Sequence, residues 1–194
     1  MAQKGVRTTA RHMEWDTATN LLRKLERDGD IKMYMFIGLG LFSGMRAGDS
    51  LKTRWSDVLY KDEFELNEQK TGKHRVIRIN QDLKQIIRTA YEAMQPKSDN
   101  ELVFLNKYRT KAITIQYVNW KLKVIAKKYN LKIDLKTHSI RKTFGRRLWE
   151  IEPSERTLVM LNQIFGHKDI QTTRIYISIQ KEEIGDFYDL LSMV

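Results

Sequence analysis

Two stretches in the C-terminal third, THSIRKTFGRR (residues 137–147) and LNQIFGHKDIQTTRIYI (residues 161–177), decide how the rest of the chain is read. On a helix, positions three apart project about 60° from one another, so His138 and Arg141 leave the same face. That face offers an imidazole that changes charge near neutral pH beside a guanidinium that stays charged. Further on, Gly166 stands where a helix ends, His167 follows it directly, and a second short helix carries Tyr176. Each feature alone has a plain structural explanation. A His-x-x-Arg pair usually belongs to a solvated helix face, and a tyrosine is more often core or rim. Their order and spacing, together with an arginine far upstream, carry the functional reading.

Working outward, the helix SERTLVMLNQIF (154–165) separates the two stretches, with Pro153 and Ser154 marking its start. Before them lies ITIQYVNWKLKVIAKKYNL (113–131), whose Ile115, Val118, Leu122 and Ile125 recur at helical spacing, with Lys121, Lys123, Lys127 and Lys128 mostly around the other side. QDLKQIIRTAYEAMQ (81–95) reads as an amphipathic helix ended by Pro96. Between those two helices, LVFL (102–105) is a brief apolar segment and NKYRTK (106–111) a loop.

From Asp57 to Asn80 the texture changes to short alternation with β-branched and aromatic residues. DVLYKD, EFELNEQ and HRVIRIN predict a small three-stranded antiparallel sheet, with Lys70-Thr71-Gly72-Lys73 as the turn between the last two. The fold class is therefore mainly α with one small sheet. Upstream, Ser43-Gly44-Met45-Arg46 turns out of the apolar helix IKMYMFIGLGLF (31–42) into a short helix from Ala47, and Asp49 follows close enough to brace Arg46 or an imidazole. Gly38 and Gly40 have the wrong spacing for a dinucleotide fingerprint, so close helix packing explains them better. The first helix is expected to be capped by Asp16 or Thr17 and to bury Leu21, Leu22 and Leu25.

Residues 1–14 are polar and basic and predict a loose arm; the main domain spans 15–180. The tail 181–194 is acidic and amphipathic, with Ile184, Phe187, Leu190 and Leu191 at helical spacing, suited either to closing its own core or to docking on a neighbouring protomer.

Lysine and arginine outnumber acids 35 to 24 along the whole chain, for a formal charge of +11, which points to a polyanionic partner met by a folded surface. Cysteine is absent, which removes disulfides, thiolate nucleophiles and cysteine-based zinc sites. No signal-type apolar core or membrane-length run is present, and the expected location is the cytoplasm. The TGK tripeptide lacks the glycine and the Ser/Thr of a phosphate-binding P-loop, so nucleotide binding has no support.

Four segments, SGMRAGDSLKTRWSDV (43–58), EQKTGKHRVIRI (68–79), THSIRKTF (137–144) and IFGHKDIQTTRIYI (164–177), resemble the boxes of the tyrosine recombinases, also called phage integrases, in the family's order. The resemblance runs from roughly Thr17 to Ile179 and implies the family's catalytic-domain fold. It makes Tyr176 the nucleophile, Arg46 and Arg141 the phosphate clamp, Lys70 the hairpin lysine, and His138 and His167 the remaining bases or donors, with Asp49 in support. Lys73 shares the hairpin turn and is the other candidate for general acid. Lys73, Arg75, Lys142 and Arg146 are expected on DNA.

The implied activity is cleavage and rejoining of double-stranded DNA through a 3′-phosphotyrosine, on a homo-oligomer, a tetramer, with no metal, cofactor or nucleotide. Most of the family carry a DNA-clamping domain ahead of this one, so the chain resembles either a fragment or the single-domain members such as fimbrial invertases. A DNA-relaxing enzyme of the same chemistry and a DNA-binding regulator without cleavage are the alternative readings.

Overall fold

The computed structural model describes residues 10–68, 72–179, 185 and 188–190. The chain divides into a unit ending at Phe144 and a second beginning at Gly145.

In the first unit, α1 (Trp15–Arg27) buries Ala18, Leu21, Leu22 and Leu25, the apolar stripe expected of it. It starts slightly earlier than predicted, with Glu14 rather than Asp16 or Thr17 at the N-cap. The end of the basic arm is held, contrary to the loose arm expected: Ala10 and Met13 are buried, and the Met13 N–H donates to Thr143 Oγ1 over 2.9 Å.

Almost all of α2 (Ile31–Ser43) is buried. It packs on α5 (Gln81–Met94), which Asn80 caps by accepting the Leu83 N–H at 2.9 Å. The glycines of α2 are there for close approach, as the sequence suggests. A Cβ on Gly38 would meet Ile86 Cγ2 at 2.8 Å, and one on Gly40 would meet Ile140 Cγ2 at 2.7 Å. Both are distances at which something must move.

After the short helix α3 (Ala47–Ser50) comes the main departure from expectation. Residues 55–58 form a helical turn, α4 (Trp55–Val58), and not the start of a strand. Asp57 accepts the Arg54 N–H at 2.7 Å, while Trp55, Val58 and Leu59 are buried at i, i+3 and i+4. The period is helical, and tertiary burial outweighs the β propensity of Val-Leu-Tyr.

Among the described residues the sheet therefore has two strands, β1 (Glu63–Asn67) and β2 (His74–Arg78), antiparallel, with Glu63 opposite Arg78 and Asn67 opposite His74. Val103 and Phe104 of the LVFL segment are fully buried between isolated bridges at Leu102 and Leu105. In α6 (Ile115–Lys128), Val118, Leu122 and Ile125 are buried as expected, whereas Ile115, in the first turn with no turn beneath it, is 41% exposed.

The unit boundary falls inside α7 (Thr137–Ile151). In the second unit, α8 (Glu155–Phe165) begins at Ser154, which accepts the Thr157 N–H, and ends at Gly166 with left-handed backbone, φ 61°. The seven-residue α9 (Ile170–Tyr176) follows. Gly145 lets α7 lie against this pair, because a Cβ there would sit 2.7 Å from Phe165 Cζ and 2.8 Å from Ile177 Cγ2. Most of the predicted tail helix, including Ile184, Phe187 and Leu191, lies outside the described residues; Leu190 is exposed. Among the described residues no helix is long and apolar enough to cross a membrane.

Candidate active site

In the first unit the site residues gather on the Ser43-Gly44-Met45-Arg46 turn. Leaving α2 requires left-handed backbone at Gly44, φ 62°, whose N–H closes onto Gly40 O at 3.1 Å. The turn's carbonyls then point at cations. Ser43 O accepts from Arg75 Nη2 at 3.3 Å, and Gly44 O accepts from Arg141 Nη1. Arg46, the N-cap residue of α3, pairs through Nη1 with Glu68 Oε2, and Arg75 Nη1 reaches Glu68 Oε1 at 3.2 Å. One short loop thus accepts from two guanidiniums and carries a third. Asp49 is buried on α3, three residues after Arg46.

Glu68 is the member of this cluster that sequence reasoning missed. Its side chain is 1% exposed, at the foot of the hairpin. A signal was present: alternation along β1 puts Glu68 in phase with buried Phe64 and half-buried Leu66, so a carboxylate occupies an apolar register. A buried carboxylate is retained only when cations and donors compensate it.

His138 and Arg141 both come from the start of α7 but differ in setting. His138 is exposed, and Arg141 is 5% exposed. Lys142 is also buried, at 6%, and burial pushes its ammonium below the ordinary lysine range. A side chain so placed has little surface to offer a phosphate. Lys73 is exposed, Arg75 is occupied with Glu68 and Ser43, and Arg146 pairs with Glu150 at 2.8 Å. Lys70 lies outside the described residues.

In the second unit His167 and Tyr176 come together. Their ring centroids are 5.0 Å apart at 69°, and Phe165 lies edge-on to Tyr176 at 5.1 Å and tilted to His167 at 5.3 Å. This trio holds the phenol's ring by packing. Asp169 caps α9 by accepting the Thr172 N–H at 2.6 Å, and that contact with Thr172 holds its carboxyl below the usual carboxylate range.

Thr173, fully buried, connects the two helices. Asn162 Nδ2 donates to its Oγ1 at 3.3 Å, and that oxygen lies 2.9 Å from His167 Nδ1. This contact restrains the imidazole at Nδ1 and leaves Nε2 as the ring nitrogen not engaged by Thr173.

Comparison with known proteins identifies the family. The phage integrase family model matches residues 11–183. The chain is 30% identical over 171 residues to the probable integrase/recombinase YoeC of Bacillus subtilis, covering 83% of this chain and 90% of that protein. It is 28% identical over 152 residues to tyrosine recombinase XerD of Listeria innocua, covering 75% of this chain and 50% of that protein. The chain thus spans about half the length of the XerD relatives it matches.

Among solved structures, XerA recombinase superposes with a TM-score of 0.71 at 20% identity, over 92% of this chain and 64% of that one. XerH recombinase, bound to its palindromic difH substrate in a post-cleavage complex, gives 0.70 at 16% identity, over 97% and 56%. At these identities the likeness is one of fold. The chain belongs to the phage integrase family, the tyrosine-type site-specific DNA recombinases.

Proposed function

We propose that this chain cleaves and rejoins double-stranded DNA one strand at a time, with Tyr176 as nucleophile. The phenol oxygen attacks a backbone phosphorus, the bond from phosphorus to the 5′ oxygen breaks, and a 3′-phosphotyrosine remains. A neutral phenol has a pKa of about 10 and is a weak nucleophile, so the site must accept its proton and offset charge on the phosphate. His138, exposed on α7, takes the proton. Arg46 and Arg141 grip the non-bridging oxygens, a planar, charge-assisted contact that lysine would not reproduce. His167 donates to a phosphate oxygen. Lys70 protonates the departing 5′ hydroxyl, with Lys73 next in line for that role. Asp49 steadies the first arginine.

What supports this reading is the Ser43–Arg46 turn, which carries Arg46 in its own sequence and fastens Arg141 through the Gly44 carbonyl. A turn that anchors two guanidiniums has a phosphate's charge and geometry in view. The phosphotyrosine keeps the energy of the broken bond, so the scheme requires neither nucleotide nor metal. Attack by a different strand's 5′ hydroxyl then gives integration, excision or inversion. The same reading places the enzyme in the cytoplasm as a tetramer on DNA, with the tail 181–194 docked on a neighbouring protomer and Lys73 and Arg146 near the backbone. Incubation with a nicked duplex that loses its 5′ fragment tests the scheme. A covalent adduct mapped to Tyr176 supports it, and no adduct across candidate sites transfers the weight to a binding-only regulator.

A further inference from the structure

Glu68 stands at the junction of two parts of the first unit that the proposed chemistry needs together. Its side chain is 1% exposed and binds two guanidiniums, Arg46 through Oε2 and Arg75 through Oε1. Its own N–H donates to Lys73 O and its carbonyl accepts from Gly72 N–H, so its backbone also holds the residues that lead into β2. Arg75, on the return strand, also donates to Ser43 O and so ties the hairpin to the turn that carries Arg46.

We infer that Glu68 is a positioning residue: its carboxylate fixes the Arg46 guanidinium and couples that arginine to the base of the lysine hairpin. The inference rests on the reading of Arg46 as a phosphate-binding group. Its physical basis is the cost of leaving a guanidinium unordered beside a second one. A carboxylate shared between two arginines offsets their mutual repulsion, and its burial restricts both side chains to one geometry. Arg46 then meets a phosphate already oriented, so the ordering cost is met during folding and not at the moment of reaction. The site gains orientation and gives up part of its positive charge.

The test has two arms on the whole chain. In the first, side-chain 15N signals of arginine, with Arg46 assigned through Arg46→Lys, are followed in wild type and in Glu68→Gln. A restricted Arg46 guanidinium that becomes mobile in Glu68→Gln is the expected result. An unchanged Arg46 signal overturns the inference, whatever the activity.

In the second arm, the rate of covalent capture on a nicked duplex is compared in a double-mutant cycle. Glu68→Gln is expected to slow capture by about 10- to 100-fold, the cost of a misplaced catalytic group. Added to Arg46→Ala, it is expected to cause no further loss, and Glu68→Asp to recover part of the rate. Independent, multiplicative losses overturn the inference. If wild type captures nothing while the Arg46 signal responds to Glu68→Gln, the positioning role stands and the catalytic reading of the site falls. If neither Glu68→Gln nor Glu68→Asp melts cooperatively, Glu68 is a folding residue and the inference is overturned.

Discussion

Arg141 donates from Nη1 to the carbonyl of Gly44, a bond that spans 97 residues of sequence and joins the first turn of α7 to the end of α2. Neither partner can be replaced without changing what the other does. Gly44 takes φ 62°, and a Cβ there would come within 2.6 Å of Phe144, three residues beyond Arg141 on the same helix.

Gly44→Ala combines left-handed backbone at a residue with a side chain and a collision with the Phe144 ring. Together these are expected to cost about 2–4 kcal/mol. Chemical denaturation measures the loss directly. A variant as stable as wild type would mean that the turn is looser than its geometry implies.

Gly145→Ala acts in the second unit, where the added methyl would press on Phe165 and Ile177 at 2.7 and 2.8 Å. Phe165 touches both the His167 and Tyr176 rings. Overpacking is expected to cost about 1–3 kcal/mol. Capture is expected to slow even at temperatures where the protein remains folded, because displacing Phe165 moves the phenol. Denaturation and capture rates measured side by side separate the two effects. An equal rate would show that Phe165 does not hold Tyr176 in place.

Thr173→Val keeps the shape of a fully buried side chain and removes its hydroxyl. Without the hydroxyl, the His167 ring loses its Nδ1 partner and with it one constraint on its orientation and tautomer. Capture is expected to fall by up to about 100-fold, the low end of what a general acid contributes. An unchanged rate would separate His167's tautomer from the chemistry, and 15N chemical shifts of the imidazole report that tautomer independently.

Lys142 and Lys73 should separate in two measurements. Lys73, exposed on the hairpin, is a phosphate contact in the proposed scheme, so Lys73→Ala should reduce the salt slope of DNA binding by about 1. Lys142→Met should leave that slope alone. Burial lowers the Lys142 pKa, so between that lowered value and lysine's ordinary 10.5 the unfolded chain holds more protons than the native one. Wild-type stability then gains a rising contribution with pH across that window, and below it the buried ammonium is at its least favourable. Wild type is expected to gain stability relative to Lys142→Met as pH rises through that window toward 10.5, measured by denaturation at several pH values. A variant with a shallower salt slope would return Lys142 to the DNA surface.

The parts of the fold legible in the sequence were those in which one periodicity dominated. The stripe Leu21, Leu22, Leu25 and the run of α5 announced their helices, and the wrong spacing of Gly38 and Gly40 for a nucleotide loop pointed to the packing that Ile86 and Ile140 confirm. Residues 57–62 misled because Val-Leu-Tyr favours strand locally, while Trp55, Val58 and Leu59 satisfy a helical period only when the flanking tryptophan is counted. His167 and Tyr176 were singled out by the order of the family's boxes, whereas the contact of Phe165 with both rings is a tertiary feature that no sequence spacing announces. Glu68 was passed over because a glutamate after Asn67 resembles ordinary strand-end polarity. Only the burial of its neighbours in phase gives it away. Lys142 was judged by type, and a basic residue beside a key arginine gives no sign of which way its helix turns it.

The central claim is that Tyr176 attacks phosphorus, and the nicked-duplex capture assay with Tyr176→Phe tests it most directly. The variant should bind DNA with the same salt dependence as wild type and form no covalent adduct, while wild type yields one that peptide mapping assigns to Tyr176. An adduct formed by Tyr176→Phe at a rate near that of wild type would contradict the account, because another side chain would then be carrying the DNA strand.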